Sequence, residues 1–298
     1  TDANTLALTA GTGSIAFTGA VGSGATQELG AVTIVSATDV TASSTFEAAS
    51  LTQTAGTGTT MLDGVVTTAA NVSLTTATID IDANVVTNGG DVDLNATTLV
   101  DLATGTSITT TGNAAGEAGG DVDIDVSGTG TVNLVGALVT TGNANAAGAG
   151  GTGGDVTIDT ANGTVSVTAI TSDGGAATTT GNNNGGAAGD VAINTDSSNI
   201  ITLNGAISAA GGTPTGTGTP GAGGNVTFAD PVVLATDITI TTGATAGNIS
   251  FQSTLDSAAT DANTLALTAG TGSIAFTGAV GSGATQELGA VTIVSATD

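Results

Sequence analysis

GGDVDL (89–94), GGDVDI (119–124), GGDVTI (153–158), AGDVAI (188–193), GGNVTF (223–228) and AGNISF (246–251) are variants of one phrase. Each opens on small residues, then places Asp or Asn before an apolar, polar, apolar alternation. A period of two is the signature of a strand with one buried face. NVSL (71–74) and AVTIV (31–35) read as the same element. More alternating segments follow each phrase. After Asp121 come Val122 and Ile124, the turn SGTG, then Val132 and Leu134, then Leu138. Asp155 and Asp190 open the same succession, so each unit offers three short strands separated by turns.

The first inward residues of successive units are Leu6, Val32, Leu51, Val72, Val92, Val122, Val156, Val191, Val226, Ile249 and Leu265. The next inward position carries Leu8, Ile34, Leu74, Leu94, Ile124, Ile158, Ile193, Phe228 and Phe251. Residues 1–39 recur letter for letter as 260–298, which sets a long period of 259 residues and about ten units within it. Repetition on this scale points to units that cannot bury a core alone but do so when stacked. The expected fold is all-β: an open right-handed parallel β-helix, with three strands in each unit. Residues 1–259 are expected to form one full repeat and 260–298 the start of the next, in a chain cut from a longer tandem array. On this expectation Leu265 stacks on Ile249.

Composition narrows the chemistry. The chain has no Lys, Arg, His, Cys, Trp or Tyr, 25 acidic residues and 48 glycines in 298 residues, and a net charge of −25. Without Cys or His there is no zinc site, thiol nucleophile or imidazole base. Without cations there is no phosphate clamp and no nucleic-acid footprint. No apolar run approaches the roughly 18 residues of a membrane-spanning helix, so membrane insertion is not expected. β-Branched aliphatics and clustered glycines are a strand-and-turn composition. The apolar fraction of 39% and mean hydropathy of +0.36 separate the chain from acidic disordered segments.

Four units carry insertions after the third strand: GNAAGEAGG (112–120), GNANAAGAGGTGG (142–154), GGAATTTGNNNGGAAG (174–189) and GGTPTGTGTPGAGG (211–224). They should gather at one corner as a ridge of small residues, read as flexible surface loops or as a lateral contact surface between molecules.

Segments such as LTAGTGSIAFTGAVG (8–22) and NVSLTTATIDIDANVV (71–86) resemble the units of filamentous haemagglutinin-type adhesins. The resemblance spans the chain and implies a β-helix, secretion to the extracellular space or cell surface, and a structural or adhesive role. It transfers no binding residue.

The acidic residues fall in register. Asn71, Asp91, Asp121, Asp155, Asp190, Asn225 and Asn248 open successive units. Asp93 and Asp123 follow two residues on, then Asp125 and Asp159. Like charges one strand apart repel, and calcium would relieve them through carboxylate oxygens. Asp91, Asp93, Asp121, Asp123, Asp125, Asp155 and Asp159 are therefore the candidate ligands of a weak calcium site. The alternative is that Asp and Asn open the unit because they favour the turn. GGTGGDVTI (150–158) departs from the calcium-binding nonapeptide GGxGxDxUx at Thr157. No other cofactor is expected.

Catalysis is not expected. Asp121/Asp123 and Asp80/Asp82 are spaced like acid–base pairs, but no cation or aromatic platform accompanies them. Thr pairs such as Thr239–Thr241 do not recur at one position, which argues against ice binding. The sequons at Asn71, Asn95, Asn162, Asn225 and Asn248 are read as accidental. The function expected is a structural segment of a giant extracellular tandem-repeat fibre: a stalk, filament or matrix fibre of a bacterial surface. Its partners would be neighbouring identical repeats and laterally packed copies. The alternative is an adhesin that binds a cell or glycan through the Gly-rich ridge.

Overall fold

The computed structural model describes residues 4–23, 29–179, 181–196, 198–258, 262–282 and 285–298. Among them are 26 strands, all in one sheet, and no helix. The alternating segments become strands because β-branched side chains fit a pleated, half-buried surface, and their inward sides interlock in register.

The strands stack as three columns of parallel pairs. The first column runs Leu6, Val32, Leu51, Val72, Val92, Val122, Val156, Val191, Val226, Ile249 and Ile274. The second runs Ile15, Val40, Thr60, Ile79, Val100, Val132, Val165, Ile201, Val232 and Leu255. The third runs Val21, Phe46, Val66, Val85, Ile108, Leu138, Ile170, Ile207, Ile240, Leu267 and Ile293. Away from the two ends these side chains are buried in one continuous core. Each buried Val, Leu or Ile contributes on the order of 1.5–3 kcal/mol. Phe228, Phe251 and Phe276 stack along the first column, with ring centroids 5.0 and 5.3 Å apart.

The expectation of an open β-helix is corrected by the pairing. Several strands do not stop at a corner but serve two columns. Phe46–Gln53 pairs at one end with Val66–Thr68 and at the other with Val72–Ile81. Thr131–Val139 pairs with both Val92–Leu102 and Ser107–Thr109. Hydrogen bonding therefore closes on itself. The ring passes through Phe46–Gln53, Val66–Thr68, Val85–Val86, Ser107–Thr109, Thr131–Val139, Val92–Leu102 and Val72–Ile81. This is a closed parallel barrel of seven strands, and the other 19 lie outside the ring. The physical cause is local. Small residues at the bends, Ala49 and Ser50 in one strand and Ala96, Thr97 and Thr98 in another, let the backbone turn without leaving strand conformation. A register shift between Ala96 and Leu99 absorbs the corner.

The second copy of the 39-residue sequence does not land where sequence spacing puts it. Leu265 pairs with Ile238 in the third column, and it is Ile274 that pairs with Ile249. In the first copy Leu6, Ile15 and Val21 occupy columns one, two and three. In the second copy Leu265, Ile274 and Val280 occupy columns three, one and two. The long period thus holds nine steps of the first column plus two further columns. The second copy is displaced by one column of three. Its strands Leu265–Thr268, Ile274–Phe276 and Val291–Ser295 join the same sheet as the rest. The expected boundary between residues 259 and 260 lies outside the described residues.

The corners are closed by hydroxyls that sequence reading missed. Thr110 donates to the Gly120 carbonyl at 2.5 Å, Thr140 and Ser172 to Gly154 at 2.7 Å, and Thr242 to Gly247 at 2.8 Å. All four side chains are buried. Their signal is a Thr or Ser two residues beyond the inward apolar residue of the third column, as in Ile108–Thr110 and Leu138–Thr140. Gln53 interrupts the core at a place where its neighbours are Ile34 and Leu74. Its Oε1 accepts from the Thr60 hydroxyl at 2.5 Å, while its Nε2 is buried without a partner.

Candidate functional site: the Asx row and the glycine ridge

The residues that open the units form one continuous row up the first column. Asn71 Oδ1 accepts the backbone N–H of Asp91 at 3.0 Å, and Asp91 Oδ1 accepts that of Asp121 at 3.0 Å. Asp121 and Asp155 repeat the bond to Asp155 and Asp190 at 2.7 Å. Asp190 continues it to Asn225 at 2.6 Å, Asn225 to Asn248 at 3.1 Å, and Asn248 to Ser273 at 2.9 Å. Each side chain satisfies a backbone donor that the strand pairing leaves free at the corner. This explains why Asp and Asn alternate freely there: both offer Oδ1, and only that oxygen is used in every step. Asp39, Asp237 and Asp256 do the same at other corners, accepting from Thr59, Thr264 and Ser282.

The structure gathers the seven predicted calcium ligands on one outer surface. Asp93 lies opposite Asp123, and Asp125 opposite Asp159. Asp91, Asp93, Asp121, Asp123 and Asp155 border an open groove with Val122 and Thr157. Charge density there is high. The carboxyl groups of Asp93 and Asp123 are held above the usual carboxylate range. Loss of water between the strands acts first, followed by the fields of Asp123, Asp91 and Asp121 on Asp93, and of Asp125 and Asp121 on Asp123. Asp159 is raised by desolvation and then by Asp196 and Asp125, against a hydrogen bond from Asn194. Yet among the described residues no three acidic side chains are placed so that they could hold a metal ion. In the opening row, Asp91, Asp121 and Asp155 already spend one oxygen on a backbone N–H, which turns them along the column. The remaining candidates are spread over three strands, Asp93 on one, Asp123 and Asp125 on the next and Asp159 on the third.

Asp80 and Asp82, considered as an acid–base pair, stand two residues apart on one strand end, and Asp80 faces Asp101 across the pairing. Desolvation, then Asp82 and Asp101, raise the Asp80 carboxyl. The chain has no Lys, Arg or His to offset the repulsion among these carboxylates.

The glycine insertions do gather at one corner, but they are ordered by their own hydrogen bonds. Asn143 donates to Glu117, Gly151 to Asn143, Gly175 to Gly151, Gly186 to Gly175, Gly212 to Gly186 and Gly221 to Gly212, all at 2.8–3.0 Å. Outgoing limbs (143, 175, 212) and returning limbs (117, 151, 186, 221) alternate in this series. The ridge is therefore a stack of extended limbs, packed as closely as backbone allows. A Cβ on Gly186 would lie 1.8 Å from the Gly151 carbonyl oxygen, and one on Gly221 would lie 1.7 Å from that of Gly186.

Comparison with known proteins finds no family model, no curated protein and no solved structure that matches the chain. The reading of its role accordingly rests on the geometry above.

Proposed function

We propose that this chain is a structural segment of an extracellular fibre, a stalk, filament or matrix strand of a bacterial surface. The observation that supports the reading is the way the second copy of the 39-residue sequence is accommodated. It adds onto the existing columns and remakes its own contacts there. Ile15 donates to Asp39 at 2.8 Å in the first copy, and Ile274 donates to Asp298 at 2.9 Å in the second. Thr38 donates to Gly13 at 2.8 Å, and Thr297 to Gly272 at 2.8 Å. One sequence thus builds the same local structure at two heights of one stack, which is the property a fibre of indefinite length needs. The Asp and Asn side chains that open the units are occupied with backbone donors, which suits a mechanical role.

The test is length. Chains with one, two and three 259-residue periods should appear in electron micrographs as rods. Each added period should lengthen the rod by about 46 Å, the height of nearly ten strand spacings. Globular particles, or several bodies joined by bends, would overturn the reading. If the rods form but isolated chains retain a cell surface or glycan through the ridge, adhesion becomes the better description.

A further inference from the structure

We infer that the outer side of the third column is a lateral docking surface for a second copy of this chain. The inference goes beyond the fibre reading, which concerns growth along the stack. Charge decides where two copies can meet. The chain carries 25 acidic residues and no Lys, Arg or His, so no surface of one copy offers a cation to the carboxylates of another. Like charges brought together across an interface are strongly disfavoured. The outer sides of the first two columns are acidic at mid-height: Asp93 faces Asp123 on the first, and Asp80 faces Asp101 on the second. The third column differs. Its outward row passes in register from Thr67 through Val86, Thr109, Val139 and Thr171 to Thr268. The row beside it carries Ser107, Ala137 and Ala169, then Thr239 and Ala266. Among the described residues, neither row holds a carboxylate from Thr67 to Thr268.

Shape and area agree with this use. Thr67, Thr109, Val139 and Thr171 are half-buried between their neighbours, so the surface they make is low and even. Ser107 Oγ and Thr109 Oγ1 lie 3.2 Å apart and bond to each other, which lowers the cost of drying them. The eight strands from Val66–Thr68 to Leu265–Thr268 stack without a break. With strands about 4.8 Å apart and about 3.3 Å per residue along each, the neutral surface measures about 40 Å by 15 Å. Packing two copies face to face takes roughly 1,200 Å² out of water, the lower bound of a stable specific interface. The glycine ridge is uncharged too, but its outgoing limbs through 143, 175 and 212 make a flank only about 15 Å tall. Acidic residues border the docking surface. Asp63, Asp82 and Asp237 lie in the bends that lead into the third column, and Glu47 begins the outward row. Asp173 lies beside the ridge, where its Oδ1 accepts from Ser208 Oγ at 2.6 Å and from the Ala210 N–H at 2.7 Å. A twofold axis parallel to the stack sets the uncharged ridge of each copy against the acidic bends of the other, and keeps those bends apart.

Sedimentation equilibrium of the full 298-residue chain tests the surface. The average mass should rise from monomer to dimer with concentration. The rise should come at lower concentration in about 1 M salt, where the screening length falls to about 3 Å and the remaining repulsion between two acidic molecules is removed. Thr171→Asp puts two like charges into the contact and should weaken it by about tenfold or more. Ser166→Asp adds the same charge on the second column, where Ser166 faces Asn133. It should leave the association within about twofold of wild type. Ala169→Gln adds bulk to the docking surface without charge and should also weaken the pair, which keeps the test open if the aspartate unfolds the chain; circular dichroism reports folding. A wild-type chain that stays monomeric at high salt overturns the proposal. So does an association, end to end or otherwise, that Thr171→Asp and Ala169→Gln leave intact, or one that Ser166→Asp weakens as much as Thr171→Asp. None of these results bears on the rod length that tests the fibre reading.

Discussion

Asp123 shows what a single position in register imposes. It lies opposite Asp93, its carboxyl is raised above the ordinary 3.8, and the causes are desolvation, Asp125 and Asp121. A carboxyl raised in the folded state binds its proton more readily there than in the unfolded chain. Stability is therefore greatest below the ordinary value, falls as pH rises through the raised value, and stays lower above it. Asp123→Asn should accordingly raise the melting temperature at pH 7, by the equivalent of about a few tenths of a kcal/mol for so exposed a site. The gain should disappear at pH 3, where the wild-type carboxyl is protonated in both states. Melting curves at the two pH values check this, and an equal gain at both would show that repulsion is not the cause. The opening residues serve another purpose: Asp121 and Asp155 each accept a backbone N–H of the next unit. The preference for Asp or Asn before each inward Val was legible in the sequence. The acceptor role was not, because it depends on a donor one unit further along the chain.

Within single elements, the inward alternation Val122–Ile124–Val126 and its equivalents gave the strands and their register directly, since only one phase buries the aliphatics. Bends were less legible. Nothing in NATT (95–98) announces that Val92–Leu102 continues through a corner, because Ala and Thr tolerate both a turn and a strand. That continuity is what closes the seven-strand ring. The stacking of the ridge was illegible for a similar reason: glycine-rich composition resembles a flexible linker, while the stacking comes from backbone bonds that carry no side-chain signature. Its glycines should consequently be intolerant of any side chain. Gly186→Ala places a Cβ against the Gly151 carbonyl and should destabilise the chain by about 2 kcal/mol. Gly105→Ala is the comparison, at a turn whose Cβ position is open though its φ is positive. Its cost should be about 1 kcal/mol. Thermal unfolding of both variants checks the ranking, and the reverse order would mean that the ridge is loose.

At the scale of the molecule, stacking of repeated units was visible in the recurrence of Leu6, Val32 and Leu51, but the phase between copies was not. Leu265 repeats Leu6, and Ile249 precedes it in the sequence ladder, so spacing alone puts them together. The strand Leu255–Ser257 takes the second column, which sends Leu265 to the third. The central claim is that the columns are in register and that identical copies sit one column apart. Paired cysteines test it directly, since the chain has none of its own and strands about 4.8 Å apart bring facing positions within disulfide reach. Ala266 faces Thr239. It would face Ser250 if Leu265 followed Ile249. Mild oxidation should cross-link Thr239→Cys/Ala266→Cys and leave Ser250→Cys/Ala266→Cys reduced. A disulfide in the second pair and none in the first would contradict the account.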